Sequence, residues 1–141
     1  MSETDNRAWP QFQRDSKSAA FFDAAARGEL FIRRCLTCDQ RLAPESGTCL
    51  TCDGTDLEWT RAEGTGSLVT WTVVERPPNR AFTTLVPYTI AVVELTEGPW
   101  LYTRLTEGVP TAVGQPVHVE FQQVPGGEHY PVFALTEGTP Q

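Results

Sequence analysis

The pentapeptide CLTCD occurs twice, at residues 35–39 and again at 49–53, and the two copies hold all four cysteines of the chain. A CxxC turn brings two thiolates to one point from a single tight loop. Zinc takes four soft ligands in a tetrahedron, so two such turns complete one shell. The ten residues between Cys38 and Cys49 suffice for a short hairpin joining the two knuckles. Each copy continues with Asp and a turn-tolerant residue, Asp39-Gln40 and Asp53-Gly54, where backbone amides can turn back toward sulfur. Cys35, Cys38, Cys49 and Cys52 are therefore expected to be two halves of one metal site. Four protein ligands leave no position for a water nucleophile, so the expected role is structural. Zn2+ is the expected ion, and an iron centre with the same four thiolates is the alternative. Four thiolates around a divalent ion leave a local charge of minus two, which Arg33, Arg34 and Arg41 beside the first knuckle are expected to offset.

The metal reading depends on compartment. No segment approaches the roughly 18 unbroken apolar residues of a membrane helix, and no charged start followed by an apolar block reads as a signal peptide. The expectation is a cytoplasmic protein with no membrane contact. Thiols there stay reduced, which favours a metal clip over two disulfides. At 141 residues, with 40% hydrophobic, the chain can build one modest core. Its 11 Gly and 11 Pro are spread between apolar runs, the pattern of a turn-rich β protein.

Before the knuckles, DSKSAAFFDAAARGEL reads as a helix over about residues 16–27, capped by Asp15 or Ser16 and ended by Gly28. Trp9, Phe12, Phe21 and Phe22 give this piece more aromatic surface than a short helix can bury on itself. They are expected either to pack on the rest of the chain or to dock on a partner protein. After the knuckles the period changes. GSLVTWTVVE, YTIAVVEL, WLYTRL, PVHVEF and YPVFAL are β-branched or aromatic runs separated by turn residues, and predict five strands. Glu97-Gly98-Pro99 suggests a tight hairpin between the second and third, and RPPNRAFTTLVP a longer loop between the first and second. Five short strands of this kind close most naturally into a small Greek-key barrel of the OB type, with an open sheet as the rival. The expected organisation is an N-terminal helical segment over 1–29, a metal ribbon over 30–60 and a barrel over 61–141. The barrel is expected to stand without the metal.

The leading helix, the CxxC…CxxC ribbon followed by LEW, and then GTGSLVTWTVVERPP, VPYTIAVVEL and EGPWLYTRL resemble the DUF35 proteins over about residues 15–136. That resemblance implies a mainly β protein in which a rubredoxin-like zinc ribbon is joined to a five-stranded OB-fold barrel. It further implies an accessory subunit, non-catalytic by itself, of a hetero-oligomer. The catalytic residues would sit in a thiolase-like or lipid-transfer-protein-like partner, a thiolase or retro-aldolase, including those of steroid side-chain breakdown. A related acyl-CoA hydratase is the alternative partner. Acyl-CoA would be shared with that partner.

The residues themselves offer little chemistry of their own. The chain lacks a GxSxG elbow, a P-loop and an HExxH. GTGS at 64–67 leads into a strand, so no helix N-terminus waits for a phosphate. Alternation puts His118 on the face opposite Val117 and Val119, and His129 falls in a Gly-rich loop. The loop ERPPNRAFTTLVPY carries Arg76 and Arg80 close to Phe82 and Tyr88. Guanidinium groups suit the phosphates of coenzyme A and rings suit its apolar arm, so this loop is expected either to line an acyl-CoA entrance shared with the partner or to be a solvated barrel loop. Nucleic acid is the other common ligand of OB barrels and zinc ribbons. A net charge of −7 and a single lysine, Lys17, oppose it, because phosphate contacts need clustered cations.

Overall fold

The computed structural model describes residues 14–106, 109–123 and 125–136. Trp9 and Phe12 lie outside the described residues. The first element is helix α1, Ala19–Ala26, which starts three residues later than the periodicity predicts. Asp15 is the reason: its carboxylate accepts from the amides of Lys17 and Ser18 at 3.0 and 2.8 Å, closing a separate turn before the helix begins. At the other end Gly28 takes φ +79°, and the Glu29 amide returns to the Ala24 carbonyl at 2.9 Å. Phe22, Ala24 and Ala25 are the buried face.

Three strands form the ribbon. β1 (Leu30–Cys35) pairs antiparallel with β2 (Arg41–Leu42) on one side and with β3 (Leu57–Ala62) on the other. The chain then enters a closed barrel of five strands: β4 (Thr65–Val74), β5 (Tyr88–Leu95), β6 (Trp100–Leu105), β7 (Pro116–Gln123) and β8 (His129–Leu135). The order around the barrel is β4-β5-β6-β8-β7, with β4 closing onto β7. Only β6 and β8 run parallel, meeting at Leu105 and Phe133. This is the OB arrangement, and the open sheet is set aside. β4 serves two neighbours because it bends. A register shift between Leu68 and Thr70 inserts an extra residue, and Gly66 lets the strand press on β5, where a Cβ would stand 2.3 Å from the Glu94 carbonyl oxygen.

The predicted strands fall on the observed ones to within two residues. The hairpin at Glu97-Gly98-Pro99 joins β5 to β6, with Gly98 at φ +116° and its amide on the Leu95 carbonyl at 2.8 Å. The longer loop from β4 to β5 contains a short 3₁₀ turn, Arg80–Phe82, capped by the Asn79 side chain and anchored by fully buried Leu85.

The core is not divided between ribbon and barrel. Leu30 and Ile32 of β1 and Ala62 of β3 pack in one cluster with Leu68, Val93, Leu95, Val117 and Phe133 of the barrel. Burying a side chain such as Leu30 or Ile32 contributes about 1.5–3 kcal/mol, so the ribbon side of this cluster is part of what holds the barrel. α1 packs on both β1 and β8, bridging the two parts. The barrel, expected from the sequence to stand without the metal, shares its core with the ribbon.

Candidate metal centre and apolar cleft

The two CLTCD copies fold as two copies of one turn. In the first, the Asp39 amide donates to the Cys35 carbonyl at 2.8 Å and the Cys35 amide to the Gln40 carbonyl at 2.9 Å. In the second, Asp53 donates to Cys49 at 2.7 Å and Cys49 to Gly54 at 2.8 Å. Asp39 and Asp53 take φ +68° and +61°, a left-handed conformation that Asp tolerates better than most residues. That reversal turns the following amides, of Gln40 and Gly54, onto the sulfurs of Cys38 and Cys52. Gly54 is also where space runs out, because a Cβ there would stand 3.2 Å from the Cys52 sulfur.

The four sulfurs lie within 4.8 Å of one another. Cys35 and Cys52 are 3.6 Å apart and Cys38 and Cys49 3.5 Å, far beyond a disulfide bond of about 2.05 Å. A tetrahedron of roughly 2.3 Å zinc–sulfur bonds has edges of about 3.8 Å, so the cluster fits such an ion. Backbone amides favour the thiolate form. Those of Cys38 and Thr37 bring the Cys35 thiol down to about 7. At Cys49 burial pushes the thiol up, but the amides of Cys52 and Thr51 prevail and the net shift is downward. At Cys52 the Gly54 amide pulls down, yet the neighbouring Cys35 and Cys38 sulfurs push it up to about 12. Sulfurs pushed apart in this way are crowding one another's charge, a conflict that a divalent cation resolves. Cys35 and Cys49 are fully buried, and Cys38 and Cys52 face outward.

The nearby arginines do not serve as expected. Arg34 donates to Asp39 at 2.5 Å and also pairs with Glu58, and Arg41 donates to Asp39 at 3.0 Å. Both thus answer carboxylates, clamping the first knuckle from outside. Arg33 turns to Trp59, its guanidinium carbon 3.8 Å from the ring centre. Amides, not arginines, answer the sulfurs.

A second feature is an apolar cleft of about 770 Å³ on the outer face of the barrel. Phe21 and Phe22 of α1 form one wall, Phe82 and Tyr88 of the β4–β5 loop another, and β4, β5, β6 and β8 the floor. Phe82 and Tyr88 lean together with ring centres 5.9 Å apart. Two residue groups that the sequence singled out separately therefore share one cavity. Arg76 and Arg80 are exposed and do not line it. The guanidinium that does is Arg104, which the sequence reading passed over. Its Nη2 donates to Gln122 Oε1 at 2.6 Å and lies 3.0 Å from the Tyr130 hydroxyl. Trp100 and Tyr102 were also missed. They flank buried Leu101 and stand outward, 57% and 86% exposed, where strict alternation in WLYTRL would have placed them. His118 is half-buried, 2.9 Å from Thr136 and 3.3 Å from Glu120. His129 opens β8 instead of lying in a loop. Among the described residues, no helix is long and apolar enough to cross a membrane.

The ribbon and the barrel have counterparts in known proteins. Residues 22–58 match the ChsH2 rubredoxin-like zinc ribbon domain and residues 59–122 the ChsH2 C-terminal OB-fold domain. The chain is 35% identical over 129 residues to a probable enoyl-CoA hydratase alpha subunit of Thermomonospora curvata, covering 90% of itself and 39% of that protein. It is 34% identical over 79 residues to a DUF35 domain-containing scaffold protein of Pyrococcus furiosus, covering 56% of itself and 57% of the relative. The chain thus spans about two fifths of the first curated relative and little more than half of the second. Among solved structures it superposes on a chain of the Ltp2–ChsH2(DUF35) aldolase with a TM-score of 0.72 at 34% identity, covering 89% of itself and 98% of that chain. A DUF35 protein of unknown function from Sulfolobus solfataricus, 14% identical with a TM-score of 0.60, shares the fold. With the doubled knuckle, the ribbon and the closed barrel all in place, the chain belongs to the DUF35 family, in its ChsH2-like form of zinc ribbon and OB-fold.

Proposed function

We propose that this chain is a non-catalytic accessory component of an acyl-CoA enzyme. In this reading it stabilises a catalytic partner of thiolase or retro-aldolase type, acting on steroid side-chain or other bulky acyl-CoA, and helps shape the partner's acyl-CoA site. Zinc in the four-cysteine cluster is structural: it would hold the two knuckles together and supply no substrate chemistry. The observation that carries the reading is the 770 Å³ cleft, whose aromatic walls and exposed Tyr102 form an apolar surface beside one guanidinium, Arg104. The aldolase named in the solved relative supports the partner class. The Thermomonospora relative favours a second reading, in which the partner is an acyl-CoA hydratase component.

In the proposed arrangement Phe82, Tyr88 and the walls from α1 meet the partner or the acyl group. Arg76 and Arg80, exposed on the loop that also carries Phe82, are the candidates for the nucleotide end. Trp9 and Phe12 remain candidates for docking. The acidic balance of the chain assigns most of the coenzyme A phosphates to the partner. The test is calorimetry with acyl-CoA, first on the isolated chain and then on the complex purified with its partner. The reading predicts no tight binding by the isolated chain and clear binding by the complex, weakened in Phe82→Ala and Tyr88→Ala. Tight binding by the isolated chain, lost in Arg76→Gln and Arg80→Gln, would overturn the shared site.

A further inference from the structure

A second cleft, of about 670 Å³, lies where α1, the ribbon and the barrel meet. It shares Phe21, Phe22, Tyr102, Thr103 and Pro131 with the larger cleft, so the two adjoin. Its chemistry is different, because it contains Arg33 and Lys17, the latter the only lysine of the chain.

Arg33 is held by a ring and not by a carboxylate. Arg14, Arg27, Arg34, Arg41 and Arg61 each meet a carboxylate. Arg33 meets none among the described residues. It stands opposite Trp59 in the β1–β3 register and stacks on that ring, and its Nε is buried with no hydrogen-bond partner among the described residues. Stacking fixes the guanidinium plane and removes water from one face, which strengthens its attraction for an anion on the other side. Among the described residues Arg33 thus keeps its charge with no acid in ion-pair contact and one N–H unused. Two acids, Asp15 and Glu45, line the same cleft, but neither lies within ion-pair distance of Arg33: Asp15 accepts from the amides of Lys17 and Ser18, and Glu45 is exposed. The Ser18 and Ser46 side chains add small polar groups to the lining.

We infer that this cleft is a binding site for a small carboxylic acid with an apolar body. The carboxylate meets Arg33 and Lys17, and the body lies on Trp59 and the Phe21 wall. A carboxylate is favoured over a spherical anion because the planar guanidinium fork matches it with two parallel hydrogen bonds. The apolar floor, which includes Leu101 and Phe133, selects for a hydrocarbon tail. This site uses none of Arg76, Arg80, Phe82 or Arg104 and does not rest on the accessory-subunit reading.

The experiment is a titration of the zinc-loaded 141-residue chain with hexanoate, followed by amide and indole NMR shifts. Hexanamide and inorganic phosphate are titrated in parallel. The expected result is a saturable shift centred on Arg33, Trp59 and Lys17 with hexanoate alone. Arg33→Gln should weaken it at least about tenfold, the loss expected for one charge-assisted hydrogen-bonding partner. Lys17→Gln, at an exposed position, should weaken it several-fold and keeps the test sound if Arg33→Gln folds poorly. Equal response to hexanamide, equal response to phosphate, or unchanged affinity in a folded Arg33→Gln would overturn the assignment. So would the lack of any saturable shift in the tens of millimolar.

Discussion

At the scale of single residues, the sulfurs and the two aspartates that follow them do most of the organising. Each Asp accepts a left-handed backbone so that the next amide can face a sulfur, and this happens twice with the same hydrogen bonds. Cys49 sits at the buried end of the cluster, so Cys49→Ser removes a ligand that water cannot replace in the same geometry. Zinc measured by plasma emission spectroscopy should fall from one per chain in the parent to well below one in the variant, with a lower melting temperature. Full zinc and an unchanged melting curve would contradict the four-thiolate site. These cysteines were readable from spacing alone, because a repeated CxxC has few physical uses in one short chain. Asp39, which Arg34 and Arg41 share, is local, but the Trp59 partner of Arg33 and the Glu58 partner of Arg34 were not readable. Glu58 and Trp59 approach β1 only through the β3 register, 24 or more residues along the chain.

At the scale of elements, the ribbon strand β1 lends Leu30 and Ile32 to the barrel core, so metal and barrel are predicted to be coupled. Chelating the zinc should raise amide exchange at Leu68 and Phe133 in the barrel as well as in the knuckles. Exchange confined to residues 35–54 would show that the barrel stands alone. α1 is tethered differently, through Arg14, which grips Glu128 at 2.6 Å and Asp23 at 2.9 Å. Arg14 holds the Glu128 carboxyl below its ordinary value of 4.5. A depressed folded pKa gives stability that is present above 4.5 and lost as pH falls through the folded value. Glu128→Gln should therefore lower the melting temperature slightly at pH 7, and the gap from the parent should narrow as the pH falls below 4.5. A gap that stays constant across that acid range would assign the effect to packing. The effect stays small because both side chains touch water. Strand positions were legible because alternation and turn residues agree along each run, as in YTIAVVEL. The late start of α1 was not, since Asp15 could cap a turn or a helix and only the fold decides between them.

At the scale of the whole molecule, the sequence carried the mainly β architecture but not the cleft. Its lining comes from six separate stretches, around Phe21, Trp71, Phe82, Ile90, Tyr102 and Tyr130, which only barrel closure brings together. Arg104 was invisible for the same reason: in WLYTRL it is one more polar residue, and its hold on Gln122 and Tyr130 crosses from β6 to β7 and β8. The same closure leaves Trp100 and Tyr102 outward on a protein of net charge −7, an apolar patch that a partner would cover. The most direct test of the accessory-subunit account is native mass spectrometry of the tagged chain purified from its own cells, with the bound proteins sequenced. The account predicts a fixed heteromer with one zinc per copy of this chain and a thiolase-, aldolase- or hydratase-type subunit in stoichiometric amount. A solitary chain, or one that carries nucleic acid in place of an acyl-CoA enzyme, would contradict it.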